Sequence, residues 1–199
     1  MSGSVKQYIY LLTIIVVTTS FVHKDLNEYG QWLQFYNIKD EDFKQVGTDR
    51  QLKLNLEVYN LSKEAKQLYE SLFFYSPDSI FFLDLYSYRI ILEKDTKSNL
   101  TWSGGDPETK VQLVKTKSLT SSTLLFIGSV GFIETAIWRN KYLFEVFGFQ
   151  EEQDKYIPTI WKYDLKKNIY RQFECVKTFK IRPKSYFAKV RMKSIKRKE

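Results

Sequence analysis

Hydrophobic and polar positions change rhythm several times along this chain. From Tyr8 to Val22 it is uncharged and mostly apolar, and Ile14 to Val17 show no polar alternation. Leu26, Tyr29 and Leu33 are spaced for a short helix, which Gly30 weakens. Leu52, Leu54, Leu56 and Val58 alternate with Lys53, Asn55 and Glu57, the period of a half-buried strand. Ser62 then reads as an N-cap. Ala65, Leu68, Tyr69, Leu72 and Phe73 follow at helical spacing, predicting a helix near residues 63–73 that ends before Pro77.

After Ser79 the pattern becomes a series of short strands: Ile80 to Leu85, Tyr88 to Lys94, Lys110 to Thr116, Thr123 to Ile127, Phe132 to Ile137, Tyr142 to Gly148, Pro158 to Leu165 and Ile169 to Glu174. Residues 95–109 contain Gly104-Gly105-Asp106-Pro107 and read as a long loop. The regular spacing predicts a mainly β fold, an antiparallel meander arranged as a sandwich, barrel or propeller-like sheets. Its expected core comprises Ile80, Phe82, Leu92, Leu125, Ile127, Phe144, Val146, Trp161 and Phe173.

Two segments carry a partial resemblance. Ser76-Pro77-Asp78 followed by Ser79-Ile80-Phe81-Phe82-Leu83-Asp84-Leu85 resembles the opening turn and inner strand of a β-propeller repeat. The stretch from Ile160 to Tyr170 is similar to the hairpin joining later strands of such a blade. The resemblance implies two four-strand units, about 79–127 and 132–174. Because a ring closes with about four to eight blades, it further implies either oligomerisation or an open sheet or sandwich. The chain also resembles small exported bacterial proteins of uncharacterised activity.

The first apolar run has the grammar of an export signal. Lys6 precedes it, and Thr18, Thr19 and Ser20 supply small residues near its end. It is shorter than the roughly 20 apolar residues of a spanning helix, and no cysteine follows it for lipid attachment. The expected organisation is a signal at 1–22, one β-rich domain at 25–176 and a basic tail at 177–199. The expected location is periplasmic, cell-surface or secreted, with a membrane tether only if the leader is retained.

Charge is unevenly distributed. The tail holds ten basic residues against the single acid Glu199, leaving 21 of the 31 basic and 22 of the 23 acidic residues to the preceding 176. The body is near neutral and the tail is a cation. Lys189, Arg191, Lys193, Lys196, Arg197 and Lys198 are therefore the expected polyanion-binding residues. Ile181, Tyr186, Phe187, Val190, Met192 and Ile195 interleave with the charges, so part of the tail suits a strand or amphipathic helix.

Several chemistries are excluded or left without support. His23 is the sole histidine and lies beside the expected cleavage site, which removes Ser-His-Asp and Cys-His catalysis and a zinc site. Cys175 is the sole cysteine, so no internal disulfide forms, and it reads either as a buried core thiol or as an intermolecular bridge. The Gly104-Gly105 turn lacks the Lys-Ser/Thr of a phosphate-binding loop. No cofactor, metal site or catalytic residue is assigned. Carboxylate chemistry stays open, since a glycosidase needs only two facing acids. Of Asp78, Asp84, Asp95, Asp106, Glu108, Glu134, Glu145 and Asp164, only Asp84 and Glu145 stand out, each inside an apolar strand.

Aromatic rings are the other route to a ligand. Trp102 in the loop, Trp138 beside Arg139-Asn140 and Trp161 are the residues expected to stack on one. The function expected is an exported envelope or extracytoplasmic protein that binds or scaffolds a protein, glycan or acidic surface. Two alternatives remain: a carboxylate-based carbohydrate-active enzyme, and an intracellular nucleic-acid binder acting through the tail.

Overall fold

The computed structural model describes residues 28–198, so the expected export signal lies outside the described residues. Helix α1 (28–35) leads into strand β1 (Phe43–Gln51), then β2 (Glu57–Val58), helix α2 (Lys63–Tyr69) and β3 (Phe74–Tyr75). Next come β4 (Phe81–Asp84), β5 (Ile90–Lys94), β6 (Leu100–Gly104), β7 (Thr109–Lys115) and β8 (Thr120–Ile127). Four long strands follow: β9 (Gly131–Trp138), β10 (Leu143–Glu152), β11 (Lys155–Asp164) and β12 (Ile169–Cys175). A π-helical turn (Phe187–Arg191) and β13 (Lys196–Arg197) end the described chain.

The fold is mainly β, as the strand spacing predicts. Sheet A has the order β1-β12-β11-β10-β9, sheet B the order β2-β8-β7-β4-β3, and sheet C the order β13-β6-β5. All pairings are antiparallel except the parallel β13–β6 pair. Turn chemistry explains the regularity of sheet A. Gln153 and Asp154 both have positive φ, the left-handed pair that lets a two-residue hairpin follow the strand twist. The Asp164 carboxylate accepts from the Lys166 and Lys167 amides, and Asn140 Oδ1 accepts from those of Tyr142 and Leu143.

Sheet A is buried on both sides near β9 and β10. Phe144 and Val146 join a core shared with sheets B and C, while Phe147 and Phe149 face a second cluster capped by Trp32 of α1. Every residue of β9 is buried although it is an edge strand, because sheet B and the segments 28–36 and 184–191 cover it. A bulge breaks its register: Phe147 pairs with Thr135 and Gly148 with Ile133, leaving Glu134 as the extra residue. Gly148 is required opposite that bulge, since a Cβ there would meet the Phe132 carbonyl oxygen at 2.3 Å.

Three expectations need correction. The alternating segment 52–58 is not a half-buried strand: Leu52 is buried, but Leu54, Leu56 and Val58 are exposed, and only Glu57–Val58 pairs with β8. That segment crosses from sheet A to sheet B, so no sheet face awaits its apolar side. Residues 95–109 are not one long loop, since they contain β6. Of the expected core, Ile80 is exposed, ahead of the first β4 pairing, while the other eight residues are buried or half-buried. Helix α2 stands where expected, with Ser62 Oγ accepting from the Ala65 amide, and ends in a 3-10 turn (Glu70–Leu72).

Candidate functional site

Residues 177–198 are built into the fold rather than trailing from it. Phe179 exchanges two backbone hydrogen bonds with Tyr156, at 2.8 and 2.9 Å. Tyr186, Phe187 and Met192 are at most 2% exposed. The π-helical turn places Phe187 against Tyr86 and Trp102, and its Met192 amide donates to the Phe187 carbonyl. Beyond it, β13 pairs with β6 and the Lys198 amide donates to the Trp102 carbonyl at 2.8 Å. Of the apolar residues interleaved with the charges, Tyr186, Phe187 and Met192 supply the anchors, whereas Ile181 and Val190 are exposed.

The anchor beneath this segment is a buried polar junction on the β9 bulge. Glu134 is fully buried. Its Oε2 accepts from the Tyr36 hydroxyl and from the Tyr186 amide at 3.1 Å. The Tyr36 oxygen also accepts from the Tyr186 amide at 2.9 Å and lies 2.8 Å from the Lys184 carbonyl. On either side, Arg89 donates to the Ile133 carbonyl and Thr135 donates to Glu28, which also binds Arg191. Tyr86 donates to the backbone carbonyl of Glu134 at 2.6 Å. Burial pushes the Glu134 carboxyl above the ordinary range, against the opposing effect of the Tyr36 bond. Three polypeptide segments (α1 with its following turn, residues 86–89 and residues 184–191) therefore meet on one bulged strand.

Above this junction the basic side chains point outward. Lys189, Lys193, Lys196, Arg197 and Lys198 are exposed, and Arg191 is half-buried. Among the described residues, Lys177 pairs with Asp42, Arg191 with Glu28, and Lys198 with Glu93. Lys180, Arg182, Lys184, Lys189, Lys193, Lys196 and Arg197 are exposed without an ion-pair partner among the described residues. Arg182 and Arg197 instead cover the Phe132 and Trp102 rings, at 4.7 and 5.2 Å.

The three tryptophans expected to stack on a ligand, out of four in the chain, are packed. Trp102 lies on β6, 9% exposed, in contact with Phe187 and the Arg197 guanidinium, so one expected aromatic does meet one expected cation. Trp138 donates from Nε1 to the Phe74 carbonyl, and Trp161 is 1% exposed in the same core. Asp84 and Glu145 sit on different sheets with different partners. Glu145 binds Arg139 at 2.7 Å and Lys162 at 3.4 Å. Asp84 accepts from the Tyr59 hydroxyl at 2.7 Å, the Tyr86 and Ser87 amides, and the Ser87 hydroxyl.

Glu134 also stands inside an apolar run, the same feature that marks Asp84 and Glu145 in the sequence. Among the described residues no group of three or more His, Cys, Asp or Glu residues is arranged to hold a metal, and no helix is long and apolar enough to cross a membrane. No protein-family model, curated protein or solved structure matches the chain.

Proposed function

We propose that this chain is an extracytoplasmic binding protein that presents a fixed basic face, residues 180–197, to a polyanionic partner. One observation carries the reading: seven exposed cations without an ion-pair partner among the described residues extend from a segment anchored by the buried side chains of Tyr186, Phe187 and Met192. Self-repulsion of such charges disfavours folding, and an anionic partner relieves it. Mounting them on a packed scaffold lowers the ordering entropy lost on binding.

The test is binding of the full chain to heparin and to phosphatidylglycerol vesicles over a salt series. Affinity should fall steeply with salt. Because each engaged cation releases counterions, Lys189→Gln/Lys193→Gln/Lys196→Gln should weaken binding and flatten its salt dependence. Affinity that ignores both salt and these substitutions defeats the proposal.

A further inference from the structure

A recess of about 280 Å³ opens beside sheet B, lined in part by β7 side chains that alternate with the core residues Val111 and Leu113. Its floor is Lys110 and Gln112 of β7; one wall is Tyr59 and Asn60, and the other is Ser87 and Tyr88. We infer that this recess binds one neutral, polyhydroxylated ring, a single sugar residue.

The buried carboxylate of Asp84 ties the two walls together. It lies opposite Gln112 on the neighbouring strand and is 2% exposed. Among the described residues, every hydrogen bond it accepts comes from a wall or from the backbone entering one: the Tyr59 hydroxyl, and the Ser87 hydroxyl with the Tyr86 and Ser87 amides. A carboxylate that bonds both lining segments holds them in place and preorganises the recess. A second bulge adds to this. Val111 pairs with Leu125 but Gln112 with Thr123, so Leu124 is the extra residue beside the recess floor. Bulges re-aim neighbouring side chains.

The lining selects the ligand chemistry. Side-chain amides (Asn60 and Gln112) supply donors and acceptors together, and Lys110 and Glu57 balance in charge, so neither a strong anion nor a strong cation is favoured. Gln112 spends its Nε2 on Ser121 and keeps its carbonyl oxygen. Tyr88, 41% exposed, offers a ring for an apolar sugar face. The volume lies near the lower end of the roughly 300–1,000 Å³ of ligand clefts, which admits one ring and not an oligomer.

This inference is independent of the basic face. The experiment is saturation-transfer NMR on the full chain with methyl glycosides of glucose, galactose, mannose and N-acetylglucosamine, each at ~5 mM, beside alanine and serine as zwitterionic controls. Millimolar binding of at least one glycoside is the weak affinity expected of a single ring. Gln112→Ala should weaken it about tenfold or more, the effect of losing a polar contact. Asn60→Ala, on an exposed position, should weaken it several-fold without touching the core. Lys189→Gln/Lys193→Gln should leave it unchanged. No glycoside signal, binding of the amino acids alone, or glycoside binding indifferent to both Asn60→Ala and Gln112→Ala each overturns the inference.

Discussion

Tyr36→Phe removes one hydroxyl from the junction that holds both ends of the described chain on β9. That oxygen donates to the Glu134 carboxylate and accepts from the Tyr186 amide at 2.9 Å. Without it, and among the described residues, Glu134 Oε2 retains the Tyr186 amide alone and Oε1 has no hydrogen-bond partner. A hydrogen bond to a charged group contributes roughly 1.5–3 kcal/mol, and a buried polar group left unsatisfied adds roughly 1–3 kcal/mol. A net loss of about 3 kcal/mol is expected, which for a chain of this size lowers Tm by roughly 6–12 °C.

The loss should depend on pH with a definite sign. Burial raises the Glu134 carboxyl in the folded state. The proton it holds therefore stabilises the fold fully below the unfolded value of about 4.3, and that contribution is lost as pH rises through the folded value. Tyr36 opposes the shift by favouring the ionised form. Removing it should widen the window and make Tyr36→Phe more damaging at pH 8 than at pH 5. Urea unfolding followed by tryptophan fluorescence at both pH values measures this. A penalty below about 0.5 kcal/mol, or one equal at the two pH values, refutes the reasoning.

Three other outcomes follow from the same geometry. Deleting residues 177–199 should abolish cooperative unfolding, because Tyr186, Phe187 and Met192 leave the core and Glu134 loses its amide donor; a truncated chain with an unchanged transition would contradict this. Gly148→Ala should destabilise by at least about 3 kcal/mol in urea unfolding, since its Cβ would strike backbone rather than a movable side chain. Cys175 is buried, and burial raises its thiol pKa, so it should resist a thiol-reactive dye in the folded protein and react once urea unfolds it.

Sheet A was legible because its strands are joined by short turns with their own chemistry, such as the left-handed Gln153-Asp154 pair. Strand β1 was not. Its sequence from Phe43 to Gln51 is mostly polar and its side chains are nearly all exposed, so no apolar face announces it. Strand β6 was hidden by Ser98, Asn99, Ser103 and two glycines, and only its pairing with β5 and β13 makes it a strand. Segment 52–58 shows the converse, since alternation predicts a strand only where a sheet face waits to receive it.

The junction and the recess share a reason for escaping the sequence. Glu134 and Asp84 stand in apolar runs that look alike, yet one turns toward Tyr36 and Tyr186 and the other toward Tyr59 and Ser87. At Glu134 the direction is set by a bulge, an offset of one residue between neighbouring strands that no periodicity within a single strand records. The partners are equally remote, as Tyr36 and Tyr186 lie 98 and 52 residues away along the chain. The cations were visible as charge, but their mounting depended on those distant contacts. A basic run and a rigid basic face have the same composition, and the buried carboxyl of Glu134 is what separates them here.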